Sequence, residues 1–249
     1  MEINLGLFNT FRKEGIPHAN LYINDPDEDT CLATWLLMNN EQVRNHAQPQ
    51  INRLVYCEDH LDCTAGAYPF GDTSFRRQMA WIFEPYNDAR FSGKLAQMDA
   101  PEMRNIIEAV HGRVTKHVYG KGEEIALEGR YKKIGGGDGW MMTQETGPAS
   151  RLAMFNDGVQ AYIALVTEKD DGSFVYVAGR ASKWIPFPIK RIFDRCNRED
   201  VVAITESNKW NGGDTVGGSP RVTGSRIPPS QLQQIVDEEV QKANGDILI

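Results

Sequence analysis

Cysteine is scarce in this chain. Only Cys31, Cys57, Cys63 and Cys196 occur in 249 residues, and no two are spaced as a Cys-x-x-Cys pair. That excludes a disulfide-stapled scaffold and makes a reducing, cytoplasmic setting the expectation. Long apolar runs are missing too, so no segment is expected to cross a bilayer. The first residues carry Glu2 and neither a basic patch nor an apolar core, so no signal peptide is expected. Positive charge is in deficit: 27 Lys and Arg stand against 34 Asp and Glu, a formal net charge of −7. Such a chain repels long polyanions, which argues against binding to long duplex nucleic acid but not against a small phosphorylated ligand held by a few arginines. Internal repeats and low-complexity segments are also absent. The remaining composition, 41% apolar and 24% charged, is that of an ordinary globular protein with one large domain or two modest ones.

Against this background two acidic clusters stand out. Asn24-Asp25-Pro26-Asp27-Glu28-Asp29 follows Leu21, Tyr22 and Ile23. Glu58-Asp59-His60-Leu61-Asp62 follows Leu54, Val55 and Tyr56. Both apolar runs read as short buried strands, over residues 20–24 and 53–57. Residues 30–40 between them read as a helix with Leu32, Trp35 and Leu36 on one face and Asp29 or Thr30 as its cap. Strand, helix, strand makes a βαβ unit in a parallel sheet, whose carboxyl ends would gather both clusters in one crevice. Like charges so placed call for a cation among them, and carboxylate with imidazole suits a divalent ion such as Mn2+ or Mg2+. The bland alternative is a polar turn that caps the next helix.

Further along, residues 74–86 read as a helix. Asp99 and Glu102 form a capping box, with Pro101 in the first turn. It opens a long helix whose apolar face is Met103, Ile106, Ile107, Val110, Val114 and Val118, closed by Gly120. A domain boundary is expected across the glycine-rich stretch that follows, dividing the chain into 1–134 and 135–249, with residues 135–139 as linker. Residues 159–166 and 173–178 read as strands joined by a hairpin at Asp170-Asp171-Gly172. Residues 188–197 and 228–243 read as helices, the second with Leu232, Ile235, Val236 and Val240 inward. His111 and His117 are expected to face solvent. Trp35, Trp81, Trp140 and Trp184 are expected in the core or between domains, and Trp210 is the tryptophan with the best claim on a ligand.

These motifs resemble those of the DHH phosphoesterase superfamily, with its associated DHHA1 domain. Asp25-Pro26-Asp27-Glu28-Asp29 is similar to the first family motif and Glu58-Asp59-His60-Leu61-Asp62 to the namesake Asp-His-His motif. Gly179-Arg180-Ala181-Ser182, with Gly217-Gly218-Ser219-Pro220-Arg221-Val222-Thr223-Gly224, is similar to the DHHA1 pattern. Leu61 replaces the second histidine, and Ser219 replaces the histidine of the glycine loop. The resemblance implies an α/β protein with a parallel-sheet amino-terminal domain and a smaller mixed-sheet carboxy-terminal domain. It implies one or two divalent ions, Mn2+ or Mg2+, held by Asp25, Asp27, Asp29 and Asp59, with Asp59 and His60 catalytic. Arg180, Gly217, Gly218, Ser219 and Arg221 would grip the substrate. The implied activity is hydrolysis of a small phosphorylated molecule, a short oligonucleotide or a linear or cyclic dinucleotide, by a monomer or homodimer with no membrane partner. The alternative is a degenerate relative that binds a nucleotide or a protein without turnover.

Overall fold

Helix α1 (Glu28–Met38) starts inside the first acidic cluster, with Glu28 and Asp29 in its first turn. The Asp27 side chain caps it by accepting from the Thr30 amide at 3.0 Å. This computed structural model describes residues 13–14, 20–44, 48–64, 66, 68, 71–127, 129–147 and 149–247. Leu5, Leu7, Phe8 and Phe11, an apolar group near the start of the sequence, lie outside the described residues, as do His18 and His46. The chain divides into two compact units, one formed by residues within 1–63, 69–90 and 98–127 and the other by residues within 64–68, 91–97 and 128–249.

In the first unit α1 is followed by α2 (Asn40–Arg44), α3 (Pro49–Cys63), α4 (Thr73–Phe91) and α5 (Ala100–Val118). Among the described residues it contains no strand, so the parallel sheet expected here is not formed. Residues 20–24 join no ladder, and residues 53–57 lie inside α3. The cause is legible in hindsight. Ile51, Leu54, Val55, Glu58 and Leu61 recur every three or four residues and all are buried, which is a helical stripe rather than a strand run. The capping box forms as expected, and Gly120 takes φ +69° just past the end of α5. Neither histidine of α5 points freely outward. His111 Nε2 lies 2.9 Å from Thr34 Oγ1 and 3.0 Å from the Cys31 carbonyl, and His117 is buried.

Pro85 sits inside α4. It has no N–H to offer the carbonyl of Trp81, four residues earlier. The Arg113 guanidinium donates to that carbonyl instead, ion-pairs with Glu84 at 2.7 Å and lies over the Trp81 ring at 5.2 Å. A kink-prone helix is thereby tied to α5.

The second unit is a six-stranded mixed sheet in the order β1-β2-β3-β4-β6-β5. Its strands are β1 (Tyr131–Gly137), β2 (Trp140–Glu145), β3 (Ala161–Glu168), β4 (Phe174–Arg180), β5 (Asn211–Gly212) and β6 (Val216–Gly218). Only β2 and β3 run parallel, connected through α6 (Ser150–Asn156). Helices α7 (Ile189–Glu199) and α8 (Pro229–Ile247) complete the unit. Their residues Ile192, Phe193, Leu232, Ile235 and Val236 form one core with Met142, Ile163, Tyr176 and Ala178 of the strands. Tyr162 and Ala164, on the opposite face, pack with Met154 of α6. Residues 135–139 are therefore the end of β1 and a turn, not a linker: Gly139 has φ +73° between two antiparallel strands.

Candidate functional site

The first turn of α1 presents Glu28 and Asp29 beside the capping Asp27. Glu58 and Asp62 lie four residues apart on α3, hence on one face, and α1 packs on α3. Asn87 reaches in from α4, donating its amide to Glu28 Oε1 at 2.9 Å. Two helices thus gather five carboxyl groups, and a third adds an amide. Glu58 is only 4% exposed, and its Oε2 is buried with no hydrogen-bond partner among the described residues.

The electrostatics follow from that burial. Desolvation, then the charges of Glu28, Asp29, Asp62 and Asp27, push the Glu58 carboxyl up from its ordinary 4.5 to about 10. Asp29 rises from 3.8 to about 8, again chiefly by burial, helped by a hydrogen bond shared with Asp27 and by the charges of Asp27 and Asp62. Glu28 is raised by burial, opposed by the Asn87 hydrogen bond and by the guanidinium groups of Arg76 and Arg90 on α4. Tyr86, also on α4, is raised by burial as well. Perturbed carboxyl groups grouped in this way mark a candidate functional site.

The sequence-predicted residues divide between three places. Asp27 and Asp29 belong to the cluster. Asp25 precedes α1, and its charge acts on the neighbouring Cys31 thiol and Tyr86. Asp59 follows Glu58 by one residue, about 100° around the helix. It lies 3.8 Å from His60 Nδ1, which also bonds the Tyr56 carbonyl at 2.8 Å, with the His60 and Tyr56 rings 4.1 Å apart. Sequence reasoning missed Glu28, Glu58, Asn87 and the arginines of α4. The available signal was the helical spacing of Glu58 and Asp62, obscured by reading residues 53–57 as a strand.

The residues expected to grip substrate lie in the second unit, where the glycine stretch forms the β5–β6 hairpin. A Cβ on Gly217 would stand 2.4 Å from Phe193 Cε2, and one on Gly218 2.6 Å from the Tyr176 carbonyl. Here glycine serves close strand and helix packing. Ser219 is buried, and its Oγ accepts from the Tyr176 amide at 3.0 Å. Arg180 donates to the carbonyls of Asp214 and Ile185, both at 2.7 Å, and so ties two loops to the end of β4. Arg221 is exposed in the turn after β6. Trp210 is core, 1% exposed, its indole N–H donating to Asp200 at 2.9 Å. Trp184, expected in the core, is 81% exposed.

No protein-family model, curated protein or solved structure matches this chain. Among the described residues, no group of three or more His, Cys, Asp or Glu side chains is gathered closely enough to hold a metal ion with the side chains as placed. No helix among those residues is long and apolar enough to cross a membrane.

Proposed function

We propose that the chain is a phosphoesterase that uses a divalent cation, Mn2+ or Mg2+, to hydrolyse a small nucleotide-class phosphoester such as a short oligonucleotide or a dinucleotide. The observation that supports this reading is the Oε2 atom of Glu58, buried without a donor amid four other carboxyl groups. Closing a carboxyl oxygen off from water with no partner is costly, and the surrounding acids make ionising it costlier still. A hard cation removes the penalty, and an all-oxygen donor set suits Mg2+ or Mn2+. Asp27, Glu28, Asp29, Glu58 and Asp62 would hold it, after side-chain rotations that draw them together. The bound ion would supply Lewis-acid polarisation of a phosphoryl oxygen and a more acidic water.

The chain's own residues set the stage for that chemistry. Asn87 commits Oε1 of Glu28 and fixes its orientation. The amino terminus of α1 adds partial positive charge beside the acids. His60, two residues beyond Glu58 on α3, is the proposed proton donor to the leaving oxygen, with Asp59 beside it.

A second reading, a binding protein without turnover, is favoured by one observation: the carboxyl groups as placed do not close on a metal. Assay of short oligonucleotides and of bis(p-nitrophenyl) phosphate with Mn2+ separates the two. Hydrolysis that is lost with EDTA and in Glu58→Gln supports the enzyme. Nucleotide binding with no turnover supports the second reading, and neither binding nor turnover overturns both.

A further inference from the structure

Five carboxylates around one divalent ion leave a site that is still negative, and a phosphoester brings more negative charge. Such a site admits its substrate only if positive charge is built in beside the metal. Helix α4 supplies it. Asn87, 5% exposed, fixes which face of α4 meets the acids, since its amide donates to Glu28 Oε1 at 2.9 Å. At about 100° per residue, Arg76, Ala80, Phe83, Asn87 and Arg90 all fall on that face. Ala80 and Phe83 are buried, and Arg76 and Arg90 are half-buried towards its two ends. The charges of both guanidinium groups act on the Glu28 carboxyl.

The two ends differ. Arg76 also acts on the buried thiol of Cys57 on α3, and burial holds its own pKa below the usual guanidinium range. Arg90 lies in the last turn of α4 and also acts on Tyr86, one turn back, whose other charged neighbours are Asp25, Glu28 and Asp27. Asp25 is where the exposed residues 20–24 enter the cluster. The side of the acidic group that faces water is therefore the Arg90 side.

We infer that Arg90 is the anion contact of the site, its planar fork taking two phosphoryl oxygens of the ester beside the bound cation, while Arg76 stays with Glu28 and Cys57. The inference rests on the phosphoesterase reading above and adds the residue that recognises the substrate's charge. Arg90 and the metal carry the same sign, so the two roles separate. Removing the guanidinium loosens the anion and, by taking away a like charge, leaves the cation held at least as firmly.

The test uses the full chain and phenylphosphonate, an anion with no ester bond to hydrolyse. Calorimetry reads Mn2+ binding first and then phenylphosphonate binding to the Mn2+-loaded protein, for wild type, Arg90→Gln and Arg90→Lys. Phosphonate affinity should fall between about 10- and 150-fold in Arg90→Gln, the range of one hydrogen bond to a charged group. It should fall less in Arg90→Lys, which keeps the charge without the fork, and both variants should bind Mn2+ no more weakly than wild type. Unchanged phosphonate affinity in Arg90→Gln, or a fall in Mn2+ affinity alongside it, would overturn the proposal, as would wild type that binds no phosphonate with or without Mn2+. If Arg90→Gln fails to fold, Arg90→Lys decides by the same two readouts. Mn2+ binding with a phosphonate affinity indifferent to Arg90 would remove the anion contact and leave the cation site standing. Phosphonate binding that depends on Arg90 in a chain that binds no Mn2+ would leave the contact standing and remove the cation.

Discussion

Asn87 donates its side-chain amide to Glu28 at 2.9 Å, whereas Glu58, in the same acidic group, has an oxygen that no described donor reaches. One buried carboxyl is provided for by the fold and the other is not. That asymmetry sets the expected behaviour of the site.

Glu58→Gln keeps shape and removes the charge. Without metal it should stabilise the first unit at pH 8, on the order of 2 kcal/mol, because a buried acid among like charges no longer has to ionise or hold its proton against solvent. Asn87→Ala should do the opposite, costing about 1–3 kcal/mol by leaving Glu28 without its donor. Chemical denaturation of both variants in EDTA reads the two signs side by side.

The pH dependence has a definite direction. Glu58 is raised from 4.5 to about 10 and Asp29 from 3.8 to about 8, so the folded state holds protons that the unfolded chain releases. Stability from these groups is therefore fully present below about pH 4 and is lost as pH rises through 8 and towards 10. The slope is about 1.4 kcal/mol per pH unit for each proton held. Melting curves in EDTA should fall between pH 5 and pH 9, more steeply for wild type than for Glu58→Gln. Saturating Mn2+ should flatten the fall, since metal and proton compete for the same oxygens.

Arg113 makes a separate, purely structural prediction. It fills the Trp81 carbonyl that Pro85 leaves open and pairs with Glu84. Arg113→Ala should cost about 2–3 kcal/mol, and Arg113→Lys should recover only part of it, because one ammonium cannot reproduce the planar fork. Combining Arg113→Ala with Pro85→Ala should cost less than Arg113→Ala alone, since the helix then supplies its own donor. Urea titrations of wild type, Arg113→Ala, Pro85→Ala and the double variant complete the cycle.

Gly217 tests what the glycines of the hairpin are for. Its missing Cβ makes room for Phe193 at 2.4 Å. Gly217→Ala should destabilise the second unit by about 1–3 kcal/mol through overpacking. Pairing it with Phe193→Leu should relieve part of that loss. A glycine kept for ligand approach would show the reverse pattern, with weakened nucleotide binding and unchanged melting.

How much of this was legible beforehand depends on the kind of signal. The capping box at Asp99 and Glu102, the hairpin at Gly172 and the inward stripe of α8 rest on local chemistry, and they stand as read. The short apolar run of Leu54, Val55 and Tyr56 misled, because three residues carry no period. Only the wider set from Ile51 to Leu61 shows the helical repeat. Strands β1 and β2 were missed because glycine fills the end of β1, where a Cβ on Gly137 would meet Asp237 and the Trp140 indole. Of the acidic cluster, Asp27 and Asp29 were legible from charge alone. Glu58 was not singled out, since nothing in the sequence tells a buried acid from an exposed one. Trp184 and Trp210 exchanged their expected places for the same reason: burial of an aromatic is decided by tertiary packing.

The central claim is that Glu58 and its neighbours form a cation site, and Mn2+ titration calorimetry of the full chain at pH 8 tests it most directly. Wild type should bind Mn2+ with release of protons and a rise in melting temperature, while Glu58→Gln, still folded and more stable without metal, should lose at least tenfold in affinity. Absence of Mn2+ binding by wild type, or equal binding by Glu58→Gln, would contradict the claim.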